Sequence, residues 1–104
     1  MQDSFVDFML DQLQGLGAVH ARSMFGGHGI YHGETFFAIV SEGRLYFKTG
    51  KENRPDYLAH GMQPFRPSEK QTLKNYYEVP VDILEDAEQL ARWAEKATRV
   101  QSGE

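Results

Sequence analysis

Three glycines fall within four positions in the run Met24-Phe25-Gly26-Gly27-His28-Gly29-Ile30-Tyr31, the first place to look for chemistry. Glycine-rich loops cradle phosphates because bare backbone amides can approach an anion at a helix N-terminus. Here the glycines lead into Ile30-Tyr31, which reads as strand. No Gly-Lys-Ser/Thr ending follows, and the spacing G-x-G-x-x-G is not met. The glycines are therefore expected to serve positive φ, a bulge or close backbone packing where the chain passes between strands.

Four histidines, His20, His28, His32 and His60, raise the question of a metal. His28 and His32 would align on a helix, but Gly29 and Gly33 argue against one there. A zinc site needs three or four ligands held by partners, and no coherent set is visible. The serines at 4, 23, 41, 68 and 102 lack a nucleophile-elbow context. The pair Glu85-Asp86 sits where a helix begins, and capping accounts for it. No catalytic, metal or cofactor-binding residues are assigned.

Arg22 lies two residues before Met24, so in a strand the two share a face. On the core side its guanidinium would need Glu78, Glu85 or Asp86 as a buried partner, which is the simpler expectation; otherwise it anchors a ligand or a partner. In Tyr76-Tyr77 one ring goes inward and the other can be exposed as a contact surface. Trp93 reads as core. The candidate ligand or partner contacts are Arg22, Gly26, Gly27, His28, Lys48 and Tyr77.

The elements that must position these residues follow from periodicity. Phe5, Phe8, Met9, Leu13 and Leu16 form one apolar face of a helix over residues 4–16, capped by Asp3 or Ser4 and stopped by Gly15 and Gly17. Strands are expected at 19–24, 29–31, 35–40 and 44–48, with turns at His32-Gly33 and Glu42-Gly43. In the last of them Leu45 and Phe47 share one side, and Arg44, Tyr46 and Lys48 the other. A short helix over 51–60 admits Pro55 in its first turn and ends at Gly61. Pro64-Phe65-Arg66-Pro67 reads as an edge strand, because two prolines deny it ladder amides. A strand over 73–79 ends at Pro80. Asp86 caps a last helix over 87–99, with Gln89 at capping-box spacing and Leu90, Trp93, Ala94, Ala97 and Val100 as its stripe. This order gives an α+β sandwich of one antiparallel sheet with helices on one face.

The chain has 104 residues, enough for a single domain, with an ordered core expected over about 3–100. Its 40% hydrophobic content, 12% aromatic, argues against disorder. The absence of cysteine removes disulfides, thiolate catalysis and cysteine zinc sites. Asp3, Asp7 and Asp11 interrupt any signal-like apolar run, and no stretch is long enough to cross a membrane. A cytoplasmic location is expected. A net charge of −4 with scattered Lys and Arg disfavours direct nucleic-acid binding.

The runs Arg22-Ser23-Met24-Phe25-Gly26-Gly27-His28-Gly29-Ile30-Tyr31, Leu45-Tyr46-Phe47-Lys48, Pro64-Phe65, Tyr76-Tyr77-Glu78-Val79-Pro80 and Leu84-Glu85-Asp86 resemble the TfoX/Sxy N-terminal domain. Met24, Phe25, Gly29, Tyr76, Pro80 and Trp93 carry the structural signature, and the match runs from the first helix to Trp93-Ala94. The resemblance implies a two-layer fold in the order α-β(3)-α-β(2)-α, akin to small secretion chaperones. It implies positive regulation of DNA-uptake genes in bacteria, through a cyclic-AMP-responsive activator, with no catalytic residue and no cofactor. Full-length regulators of the family carry a second, helical C-terminal domain, so this chain is expected to be a stand-alone N-terminal domain.

The expected function is a non-enzymatic interaction module, a homodimer that contacts a protein of the transcription machinery. The alternatives are a small-ligand-binding or enzymatic domain using the Gly26–Gly29 loop with Arg22 and Lys48, and a DNA-associated regulator.

Overall fold

The structure, a computed structural model, describes residues 4–24 and 27–100. Helix α1 (Ser4–Gln12) continues into a 3-10 turn (Leu13–Leu16). Four strands follow, β1 (Val19–Met24), β2 (Gly27–His32), β3 (Thr35–Ser41) and β4 (Arg44–Lys48). After helix α2 (Arg54–Ala59) come β5 (Pro64–Ser68) and β6 (Gln71–Glu78), then helices α3 (Val81–Leu84) and α4 (Ala87–Thr98). The strands form one antiparallel sheet in the order β1-β2-β3-β4-β6-β5. It is the expected two-layer α+β class, but four strands precede α2 where the resemblance implies three. β1 and β2 are separate strands that pair antiparallel, Val19 opposite His32 and Met24 opposite Gly27.

Local chemistry explains the turns. Glu42 and Gly43 have φ of 52° and 74°, the left-handed pair that a two-residue hairpin turn requires. The preceding turn is Gly33-Glu34 rather than His32-Gly33, because His32 still pairs with Thr35. Pro64 and Pro67 do place β5 at the sheet edge. Asp86 accepts a hydrogen bond from the Gln89 amide at 3.1 Å, and the Gln89 side chain donates back to it at 2.9 Å. Those bonds hold the Asp86 carboxyl below the usual carboxylate range.

The core lies between the sheet and the helices. Met9, Leu13, Ile30, Phe37, Leu45, Phe47, Leu90 and Ala94 are fully buried there. In α1 the inward face is Val6, Met9 and Leu13, while Phe8, placed in that stripe by spacing, is 45% exposed. One residue turns the helix by about 100°, so Phe8 cannot share the face that Met9 occupies. Between Ile30 and Tyr31 the register slips against β3, so Phe37 is an extra residue. Phe37 and Ala38 both enter the core, and Phe36 is turned to the other side of the sheet.

Truncating Leu90 to Ala should cost about 2 to 5 kcal/mol in urea unfolding, while Leu58→Ala, on the outer side of α2, should stay within about 0.5 kcal/mol. The Tyr57 hydroxyl is buried without a hydrogen-bond partner among the described residues, and burial pushes its pKa up. Tyr57→Phe should therefore raise stability, by about 1 kcal/mol, since it removes an unsatisfied polar group. A loss of stability would show that the hydroxyl is bonded.

Candidate functional site

Residues of alternate parity in each strand face away from the helices, and among the described residues it is the β5–β6 hairpin, not a helix, that shelters this face. Along β1 these are His20, Arg22 and Met24; along β2, Gly27, Gly29 and Tyr31. Their rings form a row across the sheet. His20 stacks on Tyr31 at 5.4 Å, Tyr31 on Phe36 at 5.2 Å, and Phe36 meets Tyr76 at 5.6 Å. On β4, Tyr46 packs on Phe65 at 4.5 Å.

The β5–β6 hairpin bends over this face and closes a cleft of about 440 Å³. Met24, Gly27, Phe36 and Ile39 belong to its floor, and Phe65 and Leu73 to the hairpin wall. Ser41, Ser68 and Gln71 supply its polar atoms beside the Tyr76 hydroxyl. Burial and the neighbouring Tyr31 phenol push the Tyr76 pKa up to about 12. The cleft is thus apolar, lined on one flank by aromatic rings and uncharged at neutral pH.

Glycine makes this floor. A Cβ on Gly29 would lie 2.8 Å from the Met24 sulfur and 2.9 Å from the Phe36 ring; one on Gly27 would lie 2.3 Å from the Val40 carbonyl oxygen. Neither glycine has positive φ, so close packing, and not a left-handed backbone, is their role. Phe25 and Gly26 lie outside the described residues, as does the Asp3 cap.

Arg22 is exposed, and its guanidinium lies 5.1 Å from the centre of the Tyr31 ring. The buried ion pair expected for it is not formed. Glu78 instead meets Arg44 at 3.2 Å, and Asp86 caps α4. Lys48 shares the open face with Tyr46, as the alternation requires, opposite Tyr76 in register. Its strand end is pinned by Asn53, whose amide donates to the Lys48 carbonyl at 3.1 Å and accepts from the Gly50 amide at 2.7 Å. His28 shares the core-side parity of Ile30 and points away from the cleft. Tyr77 also turns to the core, 6.1 Å from Tyr57. Its neighbour Tyr76 is the ring on the cleft.

The structure therefore brings Arg22, Gly27, Lys48 and Tyr76 to one face, with Met24 and Gly29, and separates His28 and Tyr77 from them. Trp93 is half-buried edge-on to Tyr57 at 4.8 Å, and Pro80 accepts hydrogen bonds that start α3. Among the described residues no three His, Asp or Glu side chains converge as metal ligands. Nor is any helix long and apolar enough to cross a membrane. Sequence reasoning missed Tyr31, Phe36, Ile39, Phe65 and Leu73 as members of a site. Alternation marked several as strand residues, but the hairpin's bend across the sheet leaves no local signal.

The sequence matches the family model for the TfoX N-terminal domain over residues 11–101, and the chain belongs to that family. It is 32% identical over 81 residues to the DNA transformation protein TfoX1 of Aliivibrio fischeri. The match covers 76% of this chain but 37% of that relative, so the chain spans little more than a third of its length.

The raised Tyr76 pKa has a measurable consequence. Unfolded phenols ionise near the ordinary 10.0, so the stability from burying Tyr76 is complete below that pH and is lost as pH rises toward about 12. In a tyrosinate absorbance titration, Tyr76→Phe should remove amplitude that appears toward pH 12 and leave the amplitude near pH 10 unchanged. Loss of the earlier amplitude would place Tyr76 in water.

Proposed function

We propose that this member of the TfoX N-terminal domain family is a non-enzymatic regulatory domain of the competence type. It works in the cytoplasm as a homodimer that contacts a protein of the transcription machinery. The observation that carries the reading is the row of stacked rings on the sheet face away from the helices, on a chain similar to a DNA transformation protein. A sheet face with a row of stacked rings has the aromatic enrichment of a contact surface. Among the described residues the exposed large apolar side chains Phe8, Leu58 and Val81 lie singly on α1, α2 and α3, not in a row like the rings of the sheet face.

Strand edges support self-association through β1. The β5 edge carries Pro64 and Pro67, whereas β1 has no proline and no lysine to blunt it. Two β1 strands pairing about a two-fold axis must set like faces opposite, which puts either Ala21 or Arg22 against itself. Arg22 against Arg22 is repulsive, so Ala21 takes the axis and His20 faces Arg22 of the second copy.

In sedimentation the chain should run at twice its mass of 11.9 kDa. His20→Glu should tighten the dimer and His20→Lys loosen it; a monomer at every concentration, or no difference between the two variants, would contradict the pairing. Raising the chain's level in its own bacterium should increase transcripts of DNA-uptake genes. Unchanged transcripts would overturn the regulatory reading.

A further inference from the structure

The cleft under the β5–β6 hairpin has properties that a flat contact surface does not need. Its volume of about 440 Å³ falls within the range of small-molecule sites, roughly 300 to 1,000 Å³. It is apolar with a few convergent polar atoms, the composition that lets such sites both bind and orient a ligand. Phe36 and Tyr76, tilted on each other at 5.6 Å, line one flank and offer aromatic surface to a further planar group.

Charge narrows the class. The protein carries −4, and many of its acids, such as Asp7, Asp11, Asp56, Asp82, Glu88 and Glu95, belong to the helical layer. On the open face Arg44 is tied to Glu78. Arg22 and Lys48 have no carboxylate partner among the described residues. Arg22 lies over Tyr31, which stacks on Phe36, and Lys48 lies opposite Tyr76 in register. Neither cation lines the cleft, but each lies on the same face as its Phe36–Tyr76 flank without a counter-charge among the described residues.

We propose that the cleft is a binding site for a small aromatic carboxylate, its ring packed against Phe36 and Tyr76 and its carboxylate reaching out of the cleft toward Arg22 and Lys48 on the same face. Such a ligand complements the site in size, in apolar lining and in sign of charge. It would act as an effector of the regulatory domain, and only that purpose rests on the regulatory reading. Binding is a property of the isolated chain.

Naphthoate is a suitable probe, with naphthalenemethanol as its neutral counterpart. Followed by amide chemical shifts on the purified chain, naphthoate should bind saturably, with shifts concentrated at Gly27, Gly29, Ser41 and Leu73. Naphthalenemethanol should bind more weakly, on the order of tenfold, because it forgoes a charge-assisted contact. Arg22→Gln and Lys48→Gln, both on the surface of the sheet, should each weaken naphthoate and shrink the difference between the probes. Absence of saturable shifts, shifts confined to the helical layer, or equal affinity for the two probes would overturn the proposal. Failure here leaves the transcript response standing, and loss of that response leaves binding standing, so the two readings fail separately.

Discussion

A six-stranded sheet has two faces, and this chain has helices for one of them. Everything else in the structure depends on that imbalance. α1, the 3-10 turn, α3 and α4 bury Met9, Leu13, Ile83, Leu90 and Ala94 against Ile30, Phe37, Leu45 and Phe47, and α2 adds Tyr57 to the same core. Burying those side chains supplies the stability that offsets ordering entropy. The other face is left to protect itself. It does so with rings that stack on one another from β1 to β6 and with a hairpin that bends over them. The result is a half-buried apolar face, sheltered by its own rings and the hairpin and not by helices among the described residues.

Two features convert that surface into a cleft. Gly29 lets Met24 and Phe36 approach the backbone, so the floor lies deeper than any side chain would allow. The bulge at Phe37 sends two consecutive residues into the core and returns Phe36 to the open side, where it joins Tyr31 and Tyr76. Both are backbone devices. Each serves the helical core and the open face at once, so the site is inseparable from the fold.

Much of this was legible in the residues. The limits of β1 and β4, the edge position of Pro64–Pro67, the Asp86–Gln89 cap and the sidedness of Leu45, Tyr46, Phe47 and Lys48 follow from period-two alternation and turn chemistry. The family motif identified the fold class from the same stretches. Less legible was anything that depends on register. Whether Tyr76 or Tyr77 faces the core is decided by pairing with β4, and Tyr77 opposite Phe47 is not inferable from two adjacent tyrosines. Arg22 shares its face with Met24 as alternation demands, but which face that is depends on where α1 and α4 pack. The cleft itself joins β1 to a hairpin some forty residues later, a contact without a local sequence signature.

The central claim is that the aromatic sheet face, and not the helical side, is the working surface of the domain. It is tested most directly by introducing Tyr31→Ser and Leu58→Ser separately into the chromosomal gene, confirming that both proteins remain folded, and measuring transcripts of DNA-uptake genes. Tyr31 is half-buried on the sheet face and Leu58 exposed on the helical side. The account predicts that Tyr31→Ser lowers the transcripts while Leu58→Ser leaves them unchanged. The opposite pattern, loss with Leu58→Ser and a normal response with Tyr31→Ser, would contradict it.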